Sequence, residues 1–185
     1  MPVPAPTQVT INRAPVLTLW AAVVAERLGF DPDEAVTLGR ALAGLNAQSK
    51  GRRLGLFEPA PPGEAKRGKA RVPAGEEMRV ELMGRSIPAV RTPQGVRARD
   101  RDRPADPASA RRYLEGKFKE ALPAARKAME ELAGSLSPEE LAERGFALYE
   151  AFRPQVPRGA RGWGAAGVLD LEAIRSLAKP RRAWR

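Results

Sequence analysis

The four residues Gly29-Phe30-Asp31-Pro32 constrain the fold of this chain most, because they close one helix and open the next with no length left for a loop. Before them, Val16, Trp20, Val23, Val24 and Leu28 recur at helical spacing, and Pro15 stands where a first helical turn needs no N–H donor. Gly29 ends that helix. Asp31 then acts as N-cap, Pro32 as the first helical residue and Glu34 as the reciprocal partner, a carboxylate form of the capping box with Phe30 placed as a hydrophobic staple. The second helix carries Ala35, Leu38, Ala41, Leu42 and Leu45 along one side. Gly39 and Gly44 interrupt it, and since glycine costs a helix about 1 kcal/mol relative to alanine, they predict close passage of another backbone. Residues 11–57 therefore read as a helical pair with a basic loop, and Trp20 as part of its core.

From Ser49 the composition turns basic and the periodicity stops, which predicts a loop as far as Phe57 and a linker over 58–76. Met78, Val80 and Leu82 then alternate with Arg79, Glu81 and Met83 as in a strand. Turns at Gly84-Arg85-Ser86 and Pro93-Gln94-Gly95 lead to further runs at 87–91 and 95–98, a small antiparallel ribbon over 77–98. Pro88 assigns its run to a sheet edge. The mixed charge of 99–106 reads as solvated linker. Within 107–179, Asp106-Pro107 opens a helix whose stripe, Leu114, Phe118, Leu122, Ala125, Met129 and Leu132, keeps its phase across Pro123 and so predicts one kinked helix. Ser137-Pro138-Glu139-Glu140 caps another, carrying Leu141, Leu148, Tyr149 and Phe152, and these two are expected to pair as an antiparallel hairpin. Asp170 caps a last short helix through Ile174 and Leu177, and 180–185 form a basic tail. The expected fold class is mainly α with a small antiparallel β-ribbon, an α+β arrangement built on the N-terminal pair and the C-terminal hairpin.

Function is bounded by what the chain contains. Its 32 basic and 22 acidic residues give a net charge of +10, which favours a polyanionic partner such as nucleic acid. Twenty-five of those cations are arginine, however, a bias that GC-rich coding would also produce. By segment the excess falls at 50–73, 85–112 and 158–185, each +5, while the helices are near neutral or acidic. Cysteine and histidine are both absent, which removes disulfides, thiolate chemistry, histidine bases and the usual zinc ligands, so neither metal nor cofactor is expected. The opening MPVPAPTQVT has neither the basic start nor the apolar core of a secretory signal, and the most apolar run, 15–25, is too short to span a membrane. A cytoplasmic protein with no membrane partner is the expectation.

Val24, Ala25, Leu28, Gly29, Phe30 and Leu38 resemble the core pattern of a helix-turn-helix unit over residues 24–45. That resemblance implies DNA reading by the start of the second helix, where Asp31, Asp33 and Glu34 would bring carboxylates toward a polyanion. The same stretch also looks like the opening of small basic bacterial proteins of unassigned function. Outside it, Lys50, Arg52 and Arg53 around Gly51 suit a phosphate, or simply complement the end of a helix. Lys66, Arg67, Lys69 and Arg71 form a second basic cluster, equally readable as solvated linker. Arg158, Arg161 and Trp163 combine cations with a stacking face, although a tryptophan there can instead pin the loop to the core. Ser176 and Lys179 have the spacing of a serine-lysine pair without its companion motifs, and no phosphate-binding Gly-rich loop is present. No catalytic set emerges. The expected function is non-enzymatic nucleic-acid binding through basic loops that contact backbone phosphates; the alternative is a protein-interaction or homo-oligomerisation module with an incidental basic surface.

Overall fold

The computed structural model describes residues 7–53, 76–155 and 166–178, and the side chains of all of these except 48–53. Helix α1, Arg13–Arg27, is the axis of the molecule: every residue from Pro15 to Ala25 is buried. A helix apolar on all sides is satisfied only by being surrounded. The reading of α1 as a helix with a single buried stripe was too narrow, because Leu17, Leu19, Ala21 and Ala22, off that stripe, are also enclosed.

The joint between α1 and α2, Pro32–Arg53, is built as its residues dictate. Gly29 adopts φ +113° and closes α1 with Phe30 N–H donating to the Ala25 carbonyl and Gly29 N–H to that of Glu26. Asp31 accepts from the Glu34 N–H, and Glu34 accepts from the Asp31 N–H. Gly39 then lets α2 lie against α1: a Cβ at that position would stand 2.5 Å from the Thr18 carbonyl oxygen and 2.9 Å from the Ala22 nitrogen. Gly44 has no such role, since a Cβ there would meet nothing within 4 Å. The basic loop expected from Ser49 is corrected as well, because α2 runs on to Arg53. Once several turns have formed, one glycine costs too little to stop propagation.

Strands β2 (Glu76–Leu82), β3 (Arg85–Thr92), β4 (Gly95–Asp100) and β5 (Arg103–Pro104) form an antiparallel sheet in sequence order. The ribbon is therefore longer than expected, and 99–106 is not a linker. Arg99 pairs with Pro104 and Asp100 with Arg103 across a tight turn at Arg101-Asp102. Two charges of the run that argued for solvation have partners outside it: Arg99 meets Glu77 at 3.2 Å and Asp106 meets Arg112 at 4.0 Å. Pro88 does not put β3 at the edge, because β3 lies between β2 and β4. The β3–β4 ladder nevertheless stops at Ala89–Ala98, the pair before the proline, and Pro88 pairs only with Arg79 of β2. Its missing N–H lies on the side where the ladder has ended, so no hydrogen bond is lost.

The expected kinked helix is two helices. Helix α3, Pro107–Phe118, ends at Lys119, whose backbone turns to φ 53°, ψ −128°; a single 3₁₀ turn follows, and α4 spans Leu122–Gly134. The cause is Pro123, whose ring would collide with the carbonyl four residues back, at Lys119, if the helix were continuous. In the first turn of α4 the same proline is harmless. Helix α5, Pro138–Phe152, starts with the full Ser137/Glu140 capping box. It does not pair with α4 as a hairpin; both pack on α1, whose apolar circumference offers each a partner. A second sheet, unforeseen, joins β1 (Gln8–Ile11) to β6 (Gly167–Asp170), ahead of α6 (Leu171–Ser176). Among the described residues, apolar side chains from both sheets and from α1 to α6 form one continuous core.

Candidate nucleic-acid interface

The head of α2 is where a groove-reading helix would meet bases, and here it is occupied by protein. Two N–H groups on the outer edge of β4 point at it: Val96 N–H donates to Glu34 Oε2 at 2.8 Å, and Ala98 N–H donates to Thr37 Oγ1 at 3.1 Å. Ala105 N–H donates to the Ala98 carbonyl on the same edge at 2.8 Å. The first turns of α2 thus cover a sheet edge that would otherwise stay open to pairing. Thr37 is 1% exposed, and its hydroxyl donates in turn to the Glu34 carbonyl.

Asp33 holds the second carboxylate of this turn between two arginines, Arg97 from β4 and Arg111 from α3. Arg97 is buried, its guanidinium also donating to the carbonyls of Val96 and Gln94. Beside it, Arg40 lies 4.2 Å from the centre of the Tyr113 ring and donates to the Ser109 carbonyl. Burial raises the pKa of the Tyr113 hydroxyl, and the nearby Arg40 only partly offsets this. The cluster therefore binds α2, α3 and β4 to one another, with two arginines sharing the Asp33 carboxylate and Arg40 held by the Tyr113 ring and the Ser109 carbonyl. Within the basic block 85–112, four arginines are engaged in ion pairs: Arg97 and Arg111 with Asp33, Arg99 with Glu77 and Arg112 with Asp106.

None of the sequence-derived binding residues can be placed by side-chain geometry. Lys50, Arg52 and Arg53 lie in the last turns of α2, and their side chains are outside the described set. Lys66, Arg67, Lys69, Arg71, Arg158, Arg161 and Trp163 fall outside the described residues altogether. Ser176 is described: its hydroxyl donates to the Ala173 carbonyl at 2.7 Å, a helix-internal bond, while Lys179 is not. Among the described residues no group of three or more His, Cys, Asp or Glu could hold a metal ion, and no described helix is long and apolar enough to cross a membrane. The sequence reading missed the Arg40–Tyr113 stack and the Asp33 bridge, both of which join residues about 70 or more positions apart and leave no local signal. Comparison with protein-family models, with curated proteins and with solved structures gave no match.

Proposed function

We propose that this chain binds nucleic acid without catalysis, holding backbone phosphates through basic segments of a chain that is otherwise nearly neutral. The observation that supports this is how charge divides along the sequence. Residues 48–75, 156–165 and 179–185 contain 13 basic and 2 acidic side chains, which leaves 19 basic and 20 acidic for the rest of the chain. The whole positive excess thus lies in three stretches. Coding bias toward arginine would spread cations without regard to such a division, whereas phosphate binding needs them concentrated where they are not already paired. Lys50, Arg52, Arg53, Lys66, Arg67, Lys69 and Arg71 form the principal group, with Arg158, Arg161 and Trp163 adding cations and a stacking face. On this reading the helix-turn-helix resemblance reflects helix packing, because Asp33, Glu34 and Thr37 serve β4 and α3. Electrophoretic shift titration with duplex DNA and with RNA, at low and at moderate salt, tests the proposal. Binding at low salt that weakens steeply with added salt is the expected result, and no binding at low salt would remove the proposal.

A further inference from the structure

Strand β2 is the outer strand of its sheet, and the hydrogen-bond pattern fixes which of its groups face outward. Val96 and Ala98 send their N–H groups away from β3, so Arg97 and Gly95 face it; by the alternation of an antiparallel ladder, Val90 and Thr92 face β4 and Ile87, Ala89 and Arg91 face β2. Met78, Val80 and Leu82 are therefore bonded to β3. Glu77, Arg79 and Glu81 direct their main-chain N–H and C=O outward, and among the described residues these groups have no partner. The opposite edge of the sheet is covered by α2 and β5, whereas no described residue covers this one.

We propose that the open edge of β2 pairs antiparallel with β2 of a second copy of this chain, about a two-fold axis at Val80. A two-fold ladder can join outward-facing residues only to outward-facing residues, which leaves few registers. Centring it on Arg79 would set Arg79 against Arg79 and Glu77 against Glu81, like charges opposed at every position. Centring it on Val80 sets Arg79 against the other copy's Glu81, twice over, with Val80 against Val80 and Met78 against Leu82 on the inner face. Each Arg79–Glu81 pair exchanges both main-chain hydrogen bonds and neutralises two side chains at once. Glu81 has no ion pair among the described residues, and Arg79 has only a 3.4 Å hydrogen bond to Ser86, so both are available. A register centred on Met78 also opposes unlike charges, but it uses Glu77, which already pairs with Arg99. The charge alternation of the strand thus has a complementary solution with itself, and the continuous inner face, Met78, Val80 and Leu82, extends the core surface across the axis.

The test is the oligomeric state of the full chain, measured by sedimentation equilibrium over a concentration series without nucleic acid, for the natural chain, Arg79→Glu, Glu81→Arg and the double exchange. The natural chain should form a dimer. Each single change places like charges opposite one another twice and should raise the dissociation constant about tenfold or more, while the double exchange restores the complementary pairs and most of the affinity. Restoration by the double variant also shows that the single variants fail through pairing and not through folding. A natural chain that stays monomeric, a dimer indifferent to the single changes, or a double variant as weak as the singles would each overturn the proposal. None of these outcomes depends on nucleic-acid binding.

Discussion

The indole Nε1–H of Trp20 donates to the main-chain carbonyl of Gly145 at 2.8 Å, a fully buried bond that joins α1 to α5. Gly145 is held from another direction too, since a Cβ on it would stand 3.0 Å from Cγ of Met83 in the β2–β3 turn. Met83 occupies that turn at φ 51°, a conformation costly for a side chain of its kind, and its packing on α5 supplies the compensation. Helix, helix and sheet therefore meet at one glycine. Trp20→Phe keeps most of the apolar volume, including the edge-on contact with Phe152 at 5.3 Å, but leaves a gap and removes the indole's bond to the Gly145 carbonyl, which keeps only its helical partner within α5. It should cost about 1–3 kcal/mol, against about 3–5 kcal/mol for Trp20→Ala. Denaturant unfolding of the two variants measures the difference, and equal losses would show that the hydrogen bond contributes little.

One substitution made at two glycines of α2 should act with opposite sign. At Gly39 a methyl group would collide with backbone of α1, which cannot yield as a side chain end can, so the helices must separate. The penalty of about 1–3 kcal/mol for overpacking outweighs the gain of about 1 kcal/mol in helix propensity. At Gly44 only the gain remains. Gly39→Ala should thus lower the melting temperature and Gly44→Ala raise it, and a shift of the same sign in both would contradict the packing of α2 on α1.

These cases also mark where the sequence speaks and where it falls silent. The capping boxes at Asp31 and Ser137, the turn at Gly29 and the burial of Trp20 were legible because each depends on residues within a few positions of one another. Gly39 and Gly44 look alike in sequence, and only the placement of α1 separates them. The open run of charge at 99–106 and the proline at 88 misled for a shared reason: what decides them, the pairing of β4 with β5, the contact of Arg99 with Glu77 and the end of the β3–β4 ladder, is set by tertiary structure. The break at Lys119 was displaced from its cause by four residues, the reach of a helical hydrogen bond. For the candidate interface, the charge partition was legible, whereas the assignment of 85–112 to the folded body needed the ion pairs to be seen.

Thr37 distinguishes a structural hydroxyl from a base-reading one. Thr37→Val preserves shape and removes the acceptor for the buried Ala98 N–H, so a loss of about 1–3 kcal/mol in stability is expected. Nucleic-acid affinity per folded molecule, and preference among sequences, should not change. A sequence preference present in the natural chain and abolished in this variant, with salt dependence intact, would instead favour groove reading by α2.

Tyr149 gives the chain a specific alkaline weakness. Burial is the chief cause that pushes its pKa up to about 12, against the opposing pull of Arg153 and Arg13. In the folded chain its hydroxyl donates to the Arg13 carbonyl at 3.4 Å. Below about pH 10 the folded and unfolded chains both keep this proton; between about pH 10 and 12 only the folded chain does, so its stability falls by up to about 1.4 kcal/mol per pH unit. Tyr149→Phe removes that term. Urea unfolding across this range should show the variant gaining on the natural chain as the pH rises, and a constant difference would mean that Tyr149 titrates alike in both states.

The proposed phosphate contacts predict a particular dependence on salt. Neutralising Lys50, Arg52 and Arg53 together removes cations that touch backbone and carry no base information, so affinity for unrelated sequences should fall by similar factors. Each lost phosphate contact takes about one unit from the slope of log affinity against log salt, so the triple change should flatten it by up to about 3. These residues end α2, far along the helix from the Glu34 and Thr37 bonds to β4, so the fold should be retained and the effect read directly as binding. A control on the paired surface sharpens the comparison: Arg111→Gln removes one positive charge as well, but from a cation already matched by Asp33, and should change the slope by much less than one unit. An unchanged slope in the triple variant would move the phosphate contacts to other segments, and an equal flattening in Arg111→Gln would show that net charge alone, and not the placement of cations, governs association.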